Sequence, residues 1–119
     1  MPRLFTITNL FFAFISFMTP ASVQALTGNQ LIMVTASDCP WCEAFEEEVG
    51  KGYPKTDEAK FLPMRRHDIY DAMPEDMKEL VPPTMTPTFI IVMDGKEVGR
   101  IVGYPGQELF WWRLSEFTR

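Results

Sequence analysis

The chain alternates short, continuous apolar runs with stretches in which apolar residues recur every three or four positions. Residues 31–36, LIMVTA, form an apolar run of the length expected for a strand buried on both faces. Pro40 then suits the first turn of a helix, where its missing N–H costs nothing, and Ala44, Phe45, Glu48 and Val49 carry a helical pattern as far as Gly50 and Gly52. The polar stretch YPKTDEAK follows, with room for one helical turn after Thr56. Residues 61–69, FLPMRRHDI, mix β-formers with a proline that donates nothing to a ladder, which predicts an edge strand beginning near Met64. Arg65 and Arg66 suit an edge, because charge there discourages pairing with another chain. A short helix is expected between Pro74 and Leu80, stopped by Pro82 and Pro83. In TPTFIIVMDGKEVGRIVG, two apolar runs are joined by Asp94-Gly95, a pair that favours a two-residue turn with positive φ and hence a β-hairpin. Phe110, Leu114 and Phe117 then fall on one face of a closing helix.

The predicted order is β-α-β-α-β-β-α. A strand, a helix and a second strand with a right-handed crossover give a parallel pair, and a hairpin with a closing helix completes an α/β unit. No internal repeat or low-complexity segment interrupts it.

The amino-terminal residues set the compartment. Arg3 provides a positive start, residues 4–18 an apolar stretch, and Val23-Gln24-Ala25 a small-residue cleavage site, the pattern of a secretory signal peptide. A membrane anchor is less well served: spanning takes about 20 apolar residues, and this stretch has 15, interrupted by Thr6, Thr8, Asn9 and Ser16. Cleavage after Ala25 would leave residues 26–119 as a single domain, with no stable membrane insertion, exported to the periplasm. The remaining ten basic and sixteen acidic residues give it a net charge of −6. Such a surface repels phosphate backbones and argues against a nucleic-acid partner.

In an oxidising compartment two cysteines are more readily redox-linked than idle, and two are too few for a disulfide scaffold. Cys39 and Cys42 are spaced as neighbours on one helix face, within reach of a disulfide without backbone movement. Cys39 stands at the expected helix start, where unpaired N–H groups and the helix dipole favour a thiolate. Cys42, one turn in, is expected to be more shielded. Attack by the Cys39 thiolate on a partner disulfide would give a mixed disulfide that Cys42 resolves, and the reverse sequence would oxidise a partner. Asp38 and Glu43 flank the pair, and at exposed positions their repulsion is up to about 1 kcal/mol, similar to the dipole effect. The Cys39 pKa is therefore expected to be lowered only moderately.

Other roles for the pair fit less well. A structural disulfide closing so short a loop contributes about 2 kcal/mol at most in the loop-entropy picture. A zinc site lacks ligands, since there is no second C-x-x-C and a single histidine, His67, which is read as a strand-face residue with no role. No metal and no dissociable cofactor is implied.

A strand, then CPWC opening a helix, then TPTF opening a hairpin, resembles the thioredoxin fold, here in a minimal form with a four-stranded mixed sheet flanked by helices. The segments YPKT, RRHDI, TPTF and GRIVGYPGQELFWW are similar to a narrower group, small exported thioredoxin-like proteins of the SoxS type associated with bacterial sulfur oxidation. The resemblance implies a thiol-disulfide oxidoreductase with Cys39 as nucleophile, Cys42 as resolver and Pro40 supporting the pair. It also implies a cis Pro87 packed beside the thiols, and a groove in which the Thr86 backbone pairs with an extended partner segment while Trp41 and Gly103 border it. It further implies a monomer that acts on a protein disulfide or thiol, such as a sulfur-carrier protein, and draws electrons from a membrane thiol transporter. A non-catalytic binding module with a structural disulfide is the alternative.

Two departures from the family stand out. Met33 occupies the position of thioredoxin's buried aspartate, leaving proton transfer from Cys42 to water or Glu43, or Cys42 less activated. The amino-terminal strand and helix of full thioredoxins are also missing, which leaves RRHDI at an edge. Phe110, Trp111 and Trp112 are expected in the core and groove wall. Glu46, Glu47 and Glu48 are expected to form a solvated helix face.

Overall fold

The computed structural model describes Pro2, residues 15–20 and residues 25–119. Most of the expected leader, residues 1–25, lies outside the described residues. Four strands, β1 (Gln30–Thr35), β2 (Met64–Asp68), β3 (Thr88–Met93) and β4 (Lys96–Val102), form one sheet in the order β2-β1-β3-β4. β1 runs parallel to β2 and antiparallel to β3, and β3 is antiparallel to β4. The mixed, four-stranded sheet is the one the sequence predicts, with β2 at an edge and β1 interior.

The helices are α1 (Pro40–Phe45), α2 (Asp57–Phe61) and α3 (Gln107–Thr118). A π-helical segment, Glu46–Gly50, continues α1, and 3-10 turns cover Tyr53–Lys55 and Glu75–Met77. Thr56 caps α2, its hydroxyl accepting the Ala59 N–H at 3.2 Å. The helix expected between Pro74 and Leu80 is only the 3-10 turn Glu75–Met77. Met77 and Leu80 are the buried anchors of that segment, and a further turn, closed by the Leu80 N–H on Met77 O at 3.0 Å, brings Leu80 in where a regular helix would continue.

Alternation along the strands divides the core in two. Leu31, Met33, Phe89, Ile91 and Ile101 face α1 and α3, meeting Cys42, Phe45, Val49, Phe110 and Leu114. Phe45, Phe89 and Phe110 form a mutual cluster, with ring centroids 4.6, 5.1 and 4.9 Å apart. Each such buried side chain contributes roughly 1.5–3 kcal/mol relative to exposure. On the other face Ile32, Val34, Ile90 and Val92 are covered by Met77 and Leu80, with Leu26 and Met73 alongside, rather than by a long helix. The result is a full layer behind the cysteines and a thin one opposite.

The hairpin turn is as predicted: Asp94 and Gly95 have φ of 50° and 76°. Gly95 is also pressed against the amino-terminal strand lead, its N–H donating to Gly28 O at 2.8 Å. A Cβ there would lie 2.4 Å from Leu26 O. Gly99 on β4 similarly makes room for the Phe117 ring, which seats the end of α3 on the sheet.

In α3, Phe110 and Leu114 are buried and Trp111 stacks on Tyr53 with ring centroids 6.0 Å apart. Trp112 departs from the core position expected of it and is 54% exposed. At about 100° per residue it sits roughly 200° from Phe110, on the opposite side of the helix.

Candidate active site

The sheet brings three chain segments to one end. β1 ends at Thr35, and the chain turns through Ala36, Ser37 and Asp38 into Cys39. β3 starts at Thr88, which flanks Val102 of β4, while Val34 pairs with Thr88 from the other side. Pro87 and Gly103, one residue beyond these partners, therefore lie level with the end of β1 and the approach to Cys39. The elements that carry the predicted site residues converge because of strand register.

Cys39 is the N-cap of α1, in extended conformation, and Pro40 occupies the first helical turn. The Cys39 Sγ accepts the Cys42 backbone N–H at 3.1 Å, and the Glu43 N–H donates to the Cys39 carbonyl at 3.1 Å. One of the orphan donors of the helix start is thus already directed at sulfur. Cys39 and Cys42 are joined in a disulfide with Cα atoms 5.2 Å apart. Cys39 is 9% exposed and Cys42 3%, so the outer and inner sulfurs are distinguished as the sequence predicts.

The Thr86–Pro87 peptide bond is cis and Pro87 is buried. The Thr88 hydroxyl donates to Met85 O at 2.7 Å, and the Gly103 N–H donates to Pro87 O at 2.8 Å. Gly103 has φ of +82°, a conformation that glycine adopts without steric cost. Trp41 projects from the first turn of α1 and is 65% exposed. A cleft of about 240 Å³ lined by Met85, Thr88, Arg100 and Val102 lies on the other face of the sheet, since these strand residues share the alternation of Ile90.

Charge around the pair is acidic. Asp38 accepts a hydrogen bond from the Tyr70 hydroxyl at 3.1 Å, and that bond raises the Tyr70 pKa above its ordinary value. Glu43 is exposed. Met33 is fully buried within the core that also holds both cysteines, so an apolar side chain stands where a carboxylate would be needed. His67 pairs in register with Val34 and so shares the face away from α1 and α3. Among the described residues no group of three or more His, Cys, Asp or Glu side chains gathers as a metal-binding set.

Two residues carry contacts that sequence reasoning did not identify: Tyr70 through Asp38, and Tyr104 through Glu48. Their partners are 32 and 56 positions away, and no local pattern announces such pairs. The acids of the π segment are not simply solvated either. Glu46 holds Arg66 through two bonds of 2.7 and 2.9 Å, and Glu48 accepts the Tyr104 hydroxyl, leaving Glu47 in an exposed pair with Lys51.

A family model for the thioredoxin-like domain matches residues 21–118. The chain belongs to the thioredoxin-like family. Among solved structures, it is similar to the reduced periplasmic thioredoxin SoxS from Paracoccus pantotrophus, with 33% identity and a TM-score of 0.66 over 74% of this chain and 93% of that one. The thioredoxin of Malassezia sympodialis shares the fold at 16% identity and a TM-score of 0.62, covering 79% of this chain and 78% of that one. The thioredoxin of Aeropyrum pernix does so at 16% identity and 0.57, covering 76% of each chain. No curated protein sequence matches the chain. With a C-x-x-C disulfide at the start of α1 in this fold, the thioredoxin-like chain is a thiol-disulfide oxidoreductase.

Proposed function

We propose that the protein works in the periplasm, after removal of residues 1–25, as a reductant of disulfides on a protein partner. The observation that carries this reading is the Cys39 sulfur at the N-cap of α1, receiving the Cys42 N–H and lying at the sheet end shared with Thr86, Pro87 and Gly103. In the reduced form the Cys39 thiolate attacks one sulfur of the partner disulfide. A bond forms between Cys39 and that sulfur, and the other partner sulfur leaves as a thiolate and takes a proton from water. Cys42 then loses its proton and attacks Cys39 Sγ, closing the Cys39–Cys42 disulfide and releasing the second partner thiolate. Two electrons have passed to the partner.

Trp41, Thr86, Pro87 and Gly103 form the groove for an extended, cysteine-bearing segment, with the Thr86 backbone as its pairing edge. Pro40 fixes the first turn of α1, so the two sulfurs stay in register. The similarity to a periplasmic SoxS supports a partner in sulfur oxidation, a sulfur-carrier protein whose cysteine is kept free of disulfides, with a membrane thiol transporter returning electrons to this chain as a monomer.

The test is Cys42→Ser expressed with its native leader. It should accumulate mixed disulfides through Cys39 in the periplasm, and Cys39→Ser/Cys42→Ser should accumulate none. Absence of any trapped partner would favour a binding module with a structural disulfide. Equilibration against glutathione then fixes direction: a potential near about −270 mV supports the reductase, and one near about −120 mV an oxidase.

A further inference from the structure

The π segment after α1 is tied to the rest of the fold on both flanks. Glu46 reaches one way, to Arg66 at the β2 edge; Glu48 reaches the other, accepting the Tyr104 hydroxyl at 2.5 Å. Tyr104 is 8% exposed, and its ring meets Phe45 edge-on with centroids 5.5 Å apart. Phe45 lies three residues after Cys42, on the face of α1 that packs against Phe89, two residues beyond Pro87. On its other side Tyr104 follows Gly103 directly, and the Gly103 N–H is the donor to Pro87 O. Tyr104 is therefore where the helix carrying the dithiol and the wall formed by Pro87 and Gly103 are fastened together. The fastening is a part-buried hydroxyl, whose pKa is driven up first by burial and then by its bond to Glu48.

We propose that Tyr104 and Glu48 are a positioning pair that sets the spacing between Cys39 and the Thr86–Pro87–Gly103 wall, and so governs affinity for a protein disulfide without touching it. The proposal rests on the reading of that groove as the partner-binding one. A small disulfide needs only an accessible sulfur. An extended segment needs its own sulfur at Cys39 and its backbone at the wall simultaneously, so a shift of one wall against the other is felt only by the larger substrate. Glu46 offers a built-in comparison, since it makes an equivalent tie from the same π segment to the remote edge of the sheet.

The experiment uses the full mature chain with insulin, reduced at the expense of dithiothreitol, as protein substrate, and glutathione disulfide as small substrate. Tyr104→Phe and Glu48→Ala are each expected to raise KM for insulin about tenfold. The double variant should do no worse than either single one, because both remove the same bond. Glu48→Gln, whose amide oxygen still accepts from a phenol, should restore KM to within about twofold, and Glu46→Ala should leave it unchanged. In every variant kcat, the rate with glutathione disulfide and the reduction potential should stay at the parent value. Glu48 is exposed, so its variants report on the bond even where Tyr104→Phe disturbs folding. An active Glu48→Ala with the parent KM overturns the proposal alone, as does a Glu46→Ala that matches its effect or a loss that falls equally on both substrates. A parent chain inert toward both substrates overturns the oxidoreductase reading of the groove and the proposal with it.

Discussion

Cys39 receives a backbone N–H that Cys42 donates, and it does so at the end of a helix whose neighbouring side chains, Asp38 and Glu43, are acids. The two influences oppose each other, and each is about 0.3–1 kcal/mol at an exposed site. The directed N–H tips the balance toward the thiolate, and the Tyr70 hydroxyl engages the Asp38 carboxylate. In the reduced protein, the rate of Cys39 alkylation against pH should inflect below the free-cysteine value of about 8.5. An inflection at or above that value would mean that the acids prevail. Asp38→Asn should lower the inflection further. The cysteine spacing and Pro40 were enough to read the pair from sequence, because everything that defines its geometry is local. Tyr70, Tyr104 and Glu48 were hidden because their contacts are made by folding. Trp112 was misplaced because a run of three aromatics cannot all face one core, and only the packed positions of Phe110 and Leu114 decide which one is turned outward.

At the scale of elements, the strands were legible where burial leaves little choice of residue. β1 and β3 are apolar apart from Gln30, Thr35 and Thr88 at their ends, and Asp94-Gly95 fits the turn between β3 and β4 in both of its positive φ angles. Gly95 adds a demand that no turn rule contains, the approach of Leu26 O. Gly95→Ala should lower stability by at least about 1–2 kcal/mol from its left-handed backbone alone, and by more from the contact, measured as a fall in denaturation midpoint with unchanged slope. The stretch between β2 and β3 was less legible: its prolines frame a helix-sized segment, yet the sheet needs only a turn there. That turn is tied down by Asp76, which receives both Arg65 terminal nitrogens at 2.6 and 3.0 Å. Hydrogen bonding from Arg65 holds the Asp76 carboxyl below its ordinary pKa. A carboxylate more acidic in the folded chain than in the unfolded one stabilises the fold above the unfolded pKa of about 3.9, and that contribution is lost as pH falls through the folded value. Asp76→Asn should therefore be less stable at neutral pH and show a shallower loss below about pH 4 than the parent, in denaturant titrations at stepped pH. Parallel acid limbs for the two proteins would assign acid sensitivity to other carboxylates.

The molecule as a whole carries three tyrosines, and each is set against an acid in a chain whose net charge is −5. Tyr53 is raised by burial and by Glu58, Tyr70 by its bond to Asp38, and Tyr104 by burial and by Glu48. All three shifts have the same sign, so the folded chain retains phenolic protons that the unfolded chain releases near pH 10. Stability from these groups is complete below that pH and is lost as pH rises above it, while deprotonating lysines add to the self-repulsion of an already acidic surface. The alkaline limit should accordingly be steep. Followed together, phenolate absorbance and far-ultraviolet circular dichroism should show almost no ionisation of Tyr53 and Tyr104 until the fold is lost, and then both signals should change at one pH. Tyr70, exposed and held by a single partner, should ionise first and reversibly, and Tyr70→Phe should remove that early step alone. Salt should move the common transition to higher pH, because it screens the surface charge and leaves the hydrogen bonds of the Tyr53 hydroxyl to Leu62 O and of the Tyr104 hydroxyl to Glu48 in place. Ionisation of two or more tyrosines in a chain that is still folded near pH 10 would contradict the argument. It would show that the phenols are open to water, and with them the joint between the dithiol helix and the wall beside Pro87.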